Sequence, residues 1–449
     1  MLNSQNLIDK ICAKITGDGL TALQTCQMNG ALAALCAPVC SVPTFNNLPS
    51  ATDNLGRMIY VHAENRYYYA FGGIWLNDFQ STIYNYDDSL WSWGCASYGI
   101  LGNNTTTSRS SPVSVVGGFT NWCQASAGGS FTMAVRSSGS AWAWGRNDSS
   151  QLGDNSAIDK SSPVSVVGGF TDWCQTSGGG THTVALRTGG TAWSWGSNVG
   201  GTLGICTAGT PGRSSPMSVV GGFSDWCQAS AGTNHSVAVR SSGSAWSWGC
   251  NSLGRLGDNT TTDRSSPVSV VGGFSDWCQV SAGGLHSVAV RTSGSAWSWG
   301  RNNYGQLGDN TTTSRSSPVS VVGGFSDWCQ VSASGHTVAI RTSGSAWAWG
   351  YNGVGRLGDN TLTTRSSPVS VVGGFTNWCQ VSAGSVHTVA VRTSGSAWAW
   401  GYNRYGRLGD NTVTSSRSPV SVVGGFTDWS QVCAGGAHTI AIRQEVKGF

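Results

Sequence analysis

HSVAVRTSGSAWSWGRNNYGQLGDN, residues 286–310, reads as two short strands and a loop. The runs HSVAVR and SAWSWG are apolar or alternating, and Thr-Ser-Gly between them is a short hairpin connection containing Gly. Both indoles of Trp297-Ser298-Trp299 fall on one face, because side chains alternate along a strand. Reading outward, Trp-x-Trp-Gly begins again at Trp91, Trp142, Trp193, Trp246, Trp347 and Trp398, with copies 50 to 53 residues apart. Each copy adds a run like Ser-Pro-Val-Ser-Val-Val and a further Trp, usually followed by Cys-Gln. In the second full unit the pattern predicts strands at 173–177, 182–187, 191–196 and 216–220. Four strands in each of seven such units predict an all-β, seven-bladed β-propeller over 87–449, with a linear solenoid as the alternative.

The phase of the repeat predicts how the ring closes. The chain enters at Trp91 on a third strand and leaves after Arg443 on a second. The last blade should therefore combine strands near 429–434 and 438–443 with strands near 90–94 and 112–116.

Composition agrees with a β protein. Only 10% of the 449 residues are charged, 64 are Gly, and Glu occurs only as Glu64 and Glu445. Gly is a poor helix former and Glu a good one, which argues against a mainly helical chain. A net charge of +4 spread over this length provides no clustered basic face for nucleic acid. No apolar run reaches the roughly 18 residues of a membrane span, and no secretory signal is readable at the N-terminus. Synthesis in a cytosol is expected.

Residues 286–310 and their six counterparts resemble the repeat of the regulator of chromosome condensation family. That resemblance implies a seven-bladed propeller and leaves the partner open, since one fold serves many functions. The family's founding activity, guanine-nucleotide exchange, uses a wedge inserted between blades, and the even spacing leaves no room for one. A plant photoreceptor of the family uses a tryptophan array with the signature Gly-Trp-Arg-His-Thr, which is absent from this sequence. The Trp-x-Trp pairs are expected instead to pack blade against blade.

Other repeated residues also read as structural. His182, His235, His286, His336, His387 and His438 begin the second strand of six units, with Phe131 in the other. One His per blade gives no converging ligand set, so a hydrogen bond to a neighbouring loop is expected and no metal. Asp154, Asp258, Asp309, Asp359 and Asp410 sit in Leu-Gly-Asp-Asn and should cap turn amides. Arg136, Arg187, Arg240, Arg291, Arg341, Arg392 and Arg443 recur in every unit, as one structural role repeated. Cys123, Cys174, Cys227, Cys278, Cys329 and Cys379 share a place that Ser430 takes in the last copy, and read as small buried residues. No catalytic set and no cofactor motif stands apart from the repeats, so no enzyme is expected.

Loops leaving first and third strands lie on one face of such a disc. They differ between copies, whereas loops on the other face barely change. Binding usually resides on variable loops held by a rigid scaffold. The richest cluster is Arg255, Arg301, Tyr304, Tyr351, Arg356, Tyr402, Arg404, Tyr405 and Arg407, of types favoured at interfaces and suited to a protein or a cell-surface glycan.

Residues 1–86 are not repeat. Leu7, Ile8, Ile11, Cys12 and Ile15 fit one helix face, a second helical stretch runs over 20–36, and three strands are expected from 57 to 76, making a small α+β domain. Cys12, Cys26, Cys36 and Cys40 read as thiols or disulfides in preference to zinc ligands. LPSATDNLGRMIYVHAENRYYYAFGGIWLN, at 48–77, resembles a short module of tailed-phage virion proteins. That resemblance implies a non-enzymatic virion structural protein, a tail fibre, decoration or host-recognition protein. It would be assembled in the host cytoplasm and held to other virion proteins or to its own copies through 1–86. The alternative is a bacterial propeller, cytoplasmic or exported, that binds a protein partner as a regulator or adhesin.

Overall fold

A computed structural model of the protein describes residues 86–208 and 212–446, with four short strands ahead of them. The chain divides into two compact units, Met1–Tyr86 with Val446–Phe449, and Asp87–Glu445. In the first, Met58–Val61, Arg66–Phe71 and Ile74–Asn77 form an antiparallel meander, and Cys40–Val42 pairs in parallel with its first strand. The helical segments read within 7–36, with Cys12, Cys26 and Cys36, lie outside the described residues. Of Cys40 only the backbone is described.

The second unit is built from seven four-stranded antiparallel sheets. Blades 1 to 6 cover 122–165, 173–218, 226–269, 277–320, 328–370 and 378–421. Blade 7 joins Trp429–Ala434 and His438–Val446 to Tyr86–Gly94 and Arg109–Ser114, so early and late strands share one sheet. The phase of the repeat predicts this closure.

Blade 4 shows why these residues make these strands. Its second strand, His286–Arg291, is buried at every position but the last, because neighbouring blades cover both of its faces. The core lies between blades. Val237 and Val239 of blade 3 meet Trp277, Ala289 and Trp299 of blade 4, and Trp299 is completely buried. The seven equivalent tryptophans, Trp93 to Trp400, are buried alike. The first Trp of each pair is only partly buried; Trp297 lies 4.9 Å from the Phe274 ring.

The Leu-Gly-Asp-Asn turn fits over that wedge. A Cβ on Gly257 would come within 2.8 Å of the Trp299 indole nitrogen, and its φ of +69° is one that glycine adopts without strain. Asn259 follows at φ 60°, as do its counterparts in the other blades, with Cys206 in that place in blade 2. Asp258 accepts hydrogen bonds from Asn251 Nδ2, from the amide and hydroxyl of Thr260, and from Arg264 Nε. Burial pushes its pKa up, but these bonds outweigh burial and hold the carboxyl below its ordinary range.

Two readings are corrected. The outer strands run Arg213–Ser218 and Arg109–Ser114, about three residues ahead of the expected 216–220 and 112–116. An edge strand tolerates Pro and polar residues, so the apolar Val pair that drew the reading lies at or beyond the strand's end, with Val219 buried against the core. The cysteine column is not buried either. Cys123 and Cys278 are exposed, and Cys174, Cys227 and Cys379 are intermediate. The register shifts between Trp277 and Gln279, and such a bulge re-aims the side chain that it contains. Ser430 donates to the Ile442 carbonyl at 3.2 Å, which a hydroxyl does as well as a thiol.

Candidate binding face

Three sets of ties between successive blades give the face a rigid base. Gln279 Oε1 accepts the Val331 amide of the next blade at 2.8 Å, and the same bond recurs seven times, closing with Gln431 on Ala125. Two residues on, Ser281 accepts the Ala333 amide at 3.0 Å. Cys433 takes that place at the closing seam, and burial pushes its thiol up to about 12. Reading the sequence as a list of charged and aromatic candidates missed the glutamines. Their signal was present, since Gln occupies that position in all seven copies.

The histidines make the third tie. His286 Nε2 lies 2.9 Å from Thr337 Oγ1 of the next blade, and that hydroxyl donates to the Gln306 carbonyl at 3.0 Å. A hydroxyl whose proton is already committed must accept from the imidazole, which assigns the proton to Nε2. The other five histidines make the same contact, and the partner is a strand hydroxyl rather than a loop. Burial holds His182 and His286 at about 4 and His438 at about 3, so the rings are neutral. On the opposite face the repeated arginines are structural. Arg291 stacks 4.2 Å from the Phe274 centroid while its Nε donates to Asp276 at 2.7 Å.

The two variable loop sets meet as expected: the amide of Arg301 donates to the Leu285 carbonyl, and that of Tyr402 to Val386, each at 2.9 Å. The nine candidates are then sorted into two layers. Tyr304, Tyr351, Arg404 and Tyr405 are exposed, and Arg301 and Tyr402 are half-buried. Tyr304 of blade 4 meets Tyr351 of blade 5 with ring centroids 4.7 Å apart. The guanidiniums of Arg301 and Arg404 lie over Tyr304 and Tyr405 at 5.5 and 5.4 Å. Leu362 and Val413, exposed on the loops of blades 5 and 6, add apolar surface that the sequence reading overlooked.

Arg255, Arg356 and Arg407 are not on the surface. Each is 5% exposed or less, a correction to their reading as face residues. Arg356 lies 4.7 Å from the Tyr351 centroid, and Arg407 lies 5.1 Å from that of Tyr402. Burial lowers all three, Arg356 to about 10. The column explains the burial, because Ile100, Gln151, Thr202 and Gln306 hold the same place in other blades, and Ile is an interior residue.

The comparisons with known proteins agree with this architecture. The RCC1-like domain model matches residues 74–378, and regulator of chromosome condensation (RCC1) repeat models match 394–442 and 378–407. The chain is 31% identical to the ultraviolet-B receptor UVR8 of Arabidopsis thaliana over 334 residues, 72% of this chain and 75% of that one. It is also 31% identical to human E3 ubiquitin-protein ligase HERC2 over 250 residues, 54% of this chain but 5% of the ligase. A match to so small a share speaks for the propeller and not for ligase activity. Among solved structures, human WBSCR16 has a TM-score of 0.72 at 22% identity, covering 80% of this chain and 99% of its own. Yeast RCC1 (Prp20) bound to Kap60 has a TM-score of 0.71 at 19% identity, covering 82% and 91%. On the strength of the matched repeats, the chain belongs to the RCC1-like domain family.

Proposed function

We propose that this propeller is a non-catalytic protein-binding module whose partner docks on the variable-loop face of blades 4 to 6. The observation that carries the reading is the gathering of exposed Tyr304, Tyr351, Leu362, Tyr405 and Val413 beside Arg301 and Arg404 on three consecutive blades. Aromatic and arginine anchors ringed by polar residues are the composition of interface centres. Relatives lend support. Yeast Prp20 has been solved with Kap60 and is described as binding Gsp1p and histones. These relatives favour the protein-binding alternative over the virion role that the front segment implied. The buried His–hydroxyl pairs do not argue for catalysis, because each hydroxyl proton already serves a backbone carbonyl.

The test is affinity purification from the native source with the wild type and with Tyr304→Ala/Tyr405→Ala. A partner retained stoichiometrically by the wild type should fall at least about tenfold in the variant, the loss expected when interface anchors are truncated, with the thermal melt unchanged. Equal retention would move the interface elsewhere. Recovery of the chain in density-purified virus particles would restore the virion reading.

A further inference from the structure

Beneath the exposed rings lie two buried cations that the fold does not require. The backbone carbonyl at this place in the blade is structural. That of Arg356 accepts from Trp400 Nε1 at 2.9 Å and Thr388 Oγ1 at 2.8 Å, and that of Arg407 from Trp93 Nε1 and Thr439 Oγ1, each at 2.9 Å. The side chain is free to vary, and Ile, Gln and Thr fill the place elsewhere. Yet here it is a guanidinium, with the Nε of both Arg356 and Arg407 buried and unpartnered. Neither is in an ion pair among the described residues. A buried charge without a counter-charge costs stability, and a position kept at such a cost is a candidate for function.

The surroundings place the two arginines at the ring of tips around the central shaft. The tips between first and second strands line the central shaft and are tied by backbone bonds, such as Gly129 to Gly179, Gly180 to Gly232 and Gly284 to Ser334. Six of the seven interblade steps carry that bond among the described residues; the step from blade 5 to blade 6 does not. The tip of blade 5 is one residue shorter, Ser-Gly-His where blade 4 has Gly-Gly-Leu-His. Arg356 occupies this step. Its Nη1 donates to the Ser385 carbonyl of blade 6 at 2.5 Å, and a Cβ on Gly335 would come within 2.7 Å of that nitrogen. Arg407 makes the matching contact one blade on, Nη1 to the Gly436 carbonyl at 3.4 Å. Both act electrostatically on His387, helping burial to lower its pKa.

We infer that the blade 5 to blade 6 step of the tip ring, where Arg356 stands in for the missing backbone bond beneath Tyr351 and Arg407 lies one blade on beneath Tyr402, is an anion seat that receives a carboxylate from an acidic segment of the protein partner. This rests on the protein-binding reading of the same face and adds the chemistry of what it recognises. The carboxylate would supply the missing counter-charge. Planar guanidinium forks suit that recognition.

The experiment uses the full chain and a hexaglutamate peptide, with hexaglutamine as control, read by calorimetry at low salt. Arg356→Gln/Arg407→Gln copies the residue of blades 1 and 4, so folding is expected to survive with a melting temperature equal to or above wild type. Saturable binding of hexaglutamate, absent for hexaglutamine and weakened at least about tenfold in the variant, is the expected result, since each charged contact of this kind is worth about a factor of ten or more. Equal affinity in wild type and variant would overturn the seat. So would a variant that melts well below wild type, which would make the arginines structural, or binding of inorganic phosphate without hexaglutamate. The two readings are separable. If Tyr304→Ala/Tyr405→Ala loses the protein partner and the arginine variant keeps it, the face stands and the seat falls.

Discussion

The buried imidazoles couple the propeller's stability to pH, and in five of the six one ring nitrogen makes no bond among the described residues. Nε2 donates to a hydroxyl of the next blade, and Nδ1 is buried without a partner among the described residues, as in His182, His336 and His438. Protonating Nδ1 would bury a charge, so burial lowers all six pKa values. Unfolded imidazoles titrate near 6.5. Between that value and the folded one, the unfolded chain binds protons that the folded ring refuses. Stability should therefore be flat above about pH 6.5 and fall below it, by up to about 1.4 kcal/mol per pH unit for each histidine. Thermal melts at about pH 7.5 and about pH 5 check this, and equal midpoints would contradict the burial of these rings in their neutral form. His182→Phe, which copies Phe131, should remove one share of the slope. At this scale the sequence was partly legible. A His recurring at one place announced a structural role, but its partner lies about 50 residues away in the next unit and no local pattern names it. The burial of Arg255, Arg356 and Arg407 was legible in Ile100 and Thr202 of the same column, whereas reading each arginine in its own loop made it a surface residue.

The strand pairs divide their work unequally, and substitutions should expose the division. Trp299 is fully enclosed between Val237 and Val239 of one blade and Ala289 of the next. Trp299→Ala should cost about 3–5 kcal/mol in a denaturant melt, and Trp297→Ala, at the partly open end of the same strand, distinctly less. Equal losses would mean that the outer Trp packs as tightly as the inner. Gln279→Ala leaves the Val331 amide of the next blade without its acceptor and should cost about 1–3 kcal/mol; no change would show that water replaces the tie. The middle strands of blade 2 were read nearly to the residue, because burial on both faces writes an apolar run bounded by a Gly turn, whereas those of blade 7 extend three or four residues beyond the expected 438–443 and 90–94. The outer strand was misplaced because it is an edge, where Arg-Ser-Ser-Pro-Met-Ser gives little apolar signal and the Val pair beyond it does.

Over the whole molecule, seven near-equal blades are made into one body by ties that run from each blade to its neighbour. The circuit includes the seam between blade 7 and blade 1, where Gln431 holds Ala125 and His438 holds Thr132. Removing His438–Val446 would take the second strand from blade 7 and leave Trp429–Ala434 without the partner that links it to Tyr86–Gly94. Such a deletion should melt at a lower temperature and over a broader range than the full chain, read by circular dichroism. An unchanged melt would mean that six blades are held without closure.

The sheet that closes the ring also imposes an order on synthesis. Tyr86–Gly94 leaves the ribosome before any complete blade exists, and His438–Val446, the strand it must sit beside, emerges after all six of the others have been made. Until Trp378–Ser421 is made, Trp93, destined for complete enclosure, has no blade 6 to pack against. A nascent chain therefore carries an unsatisfied aromatic edge from the emergence of Tyr86–Gly94 until blade 6 is made. A chain broken before blade 6 keeps that edge exposed, an aggregation hazard that the finished ring does not carry.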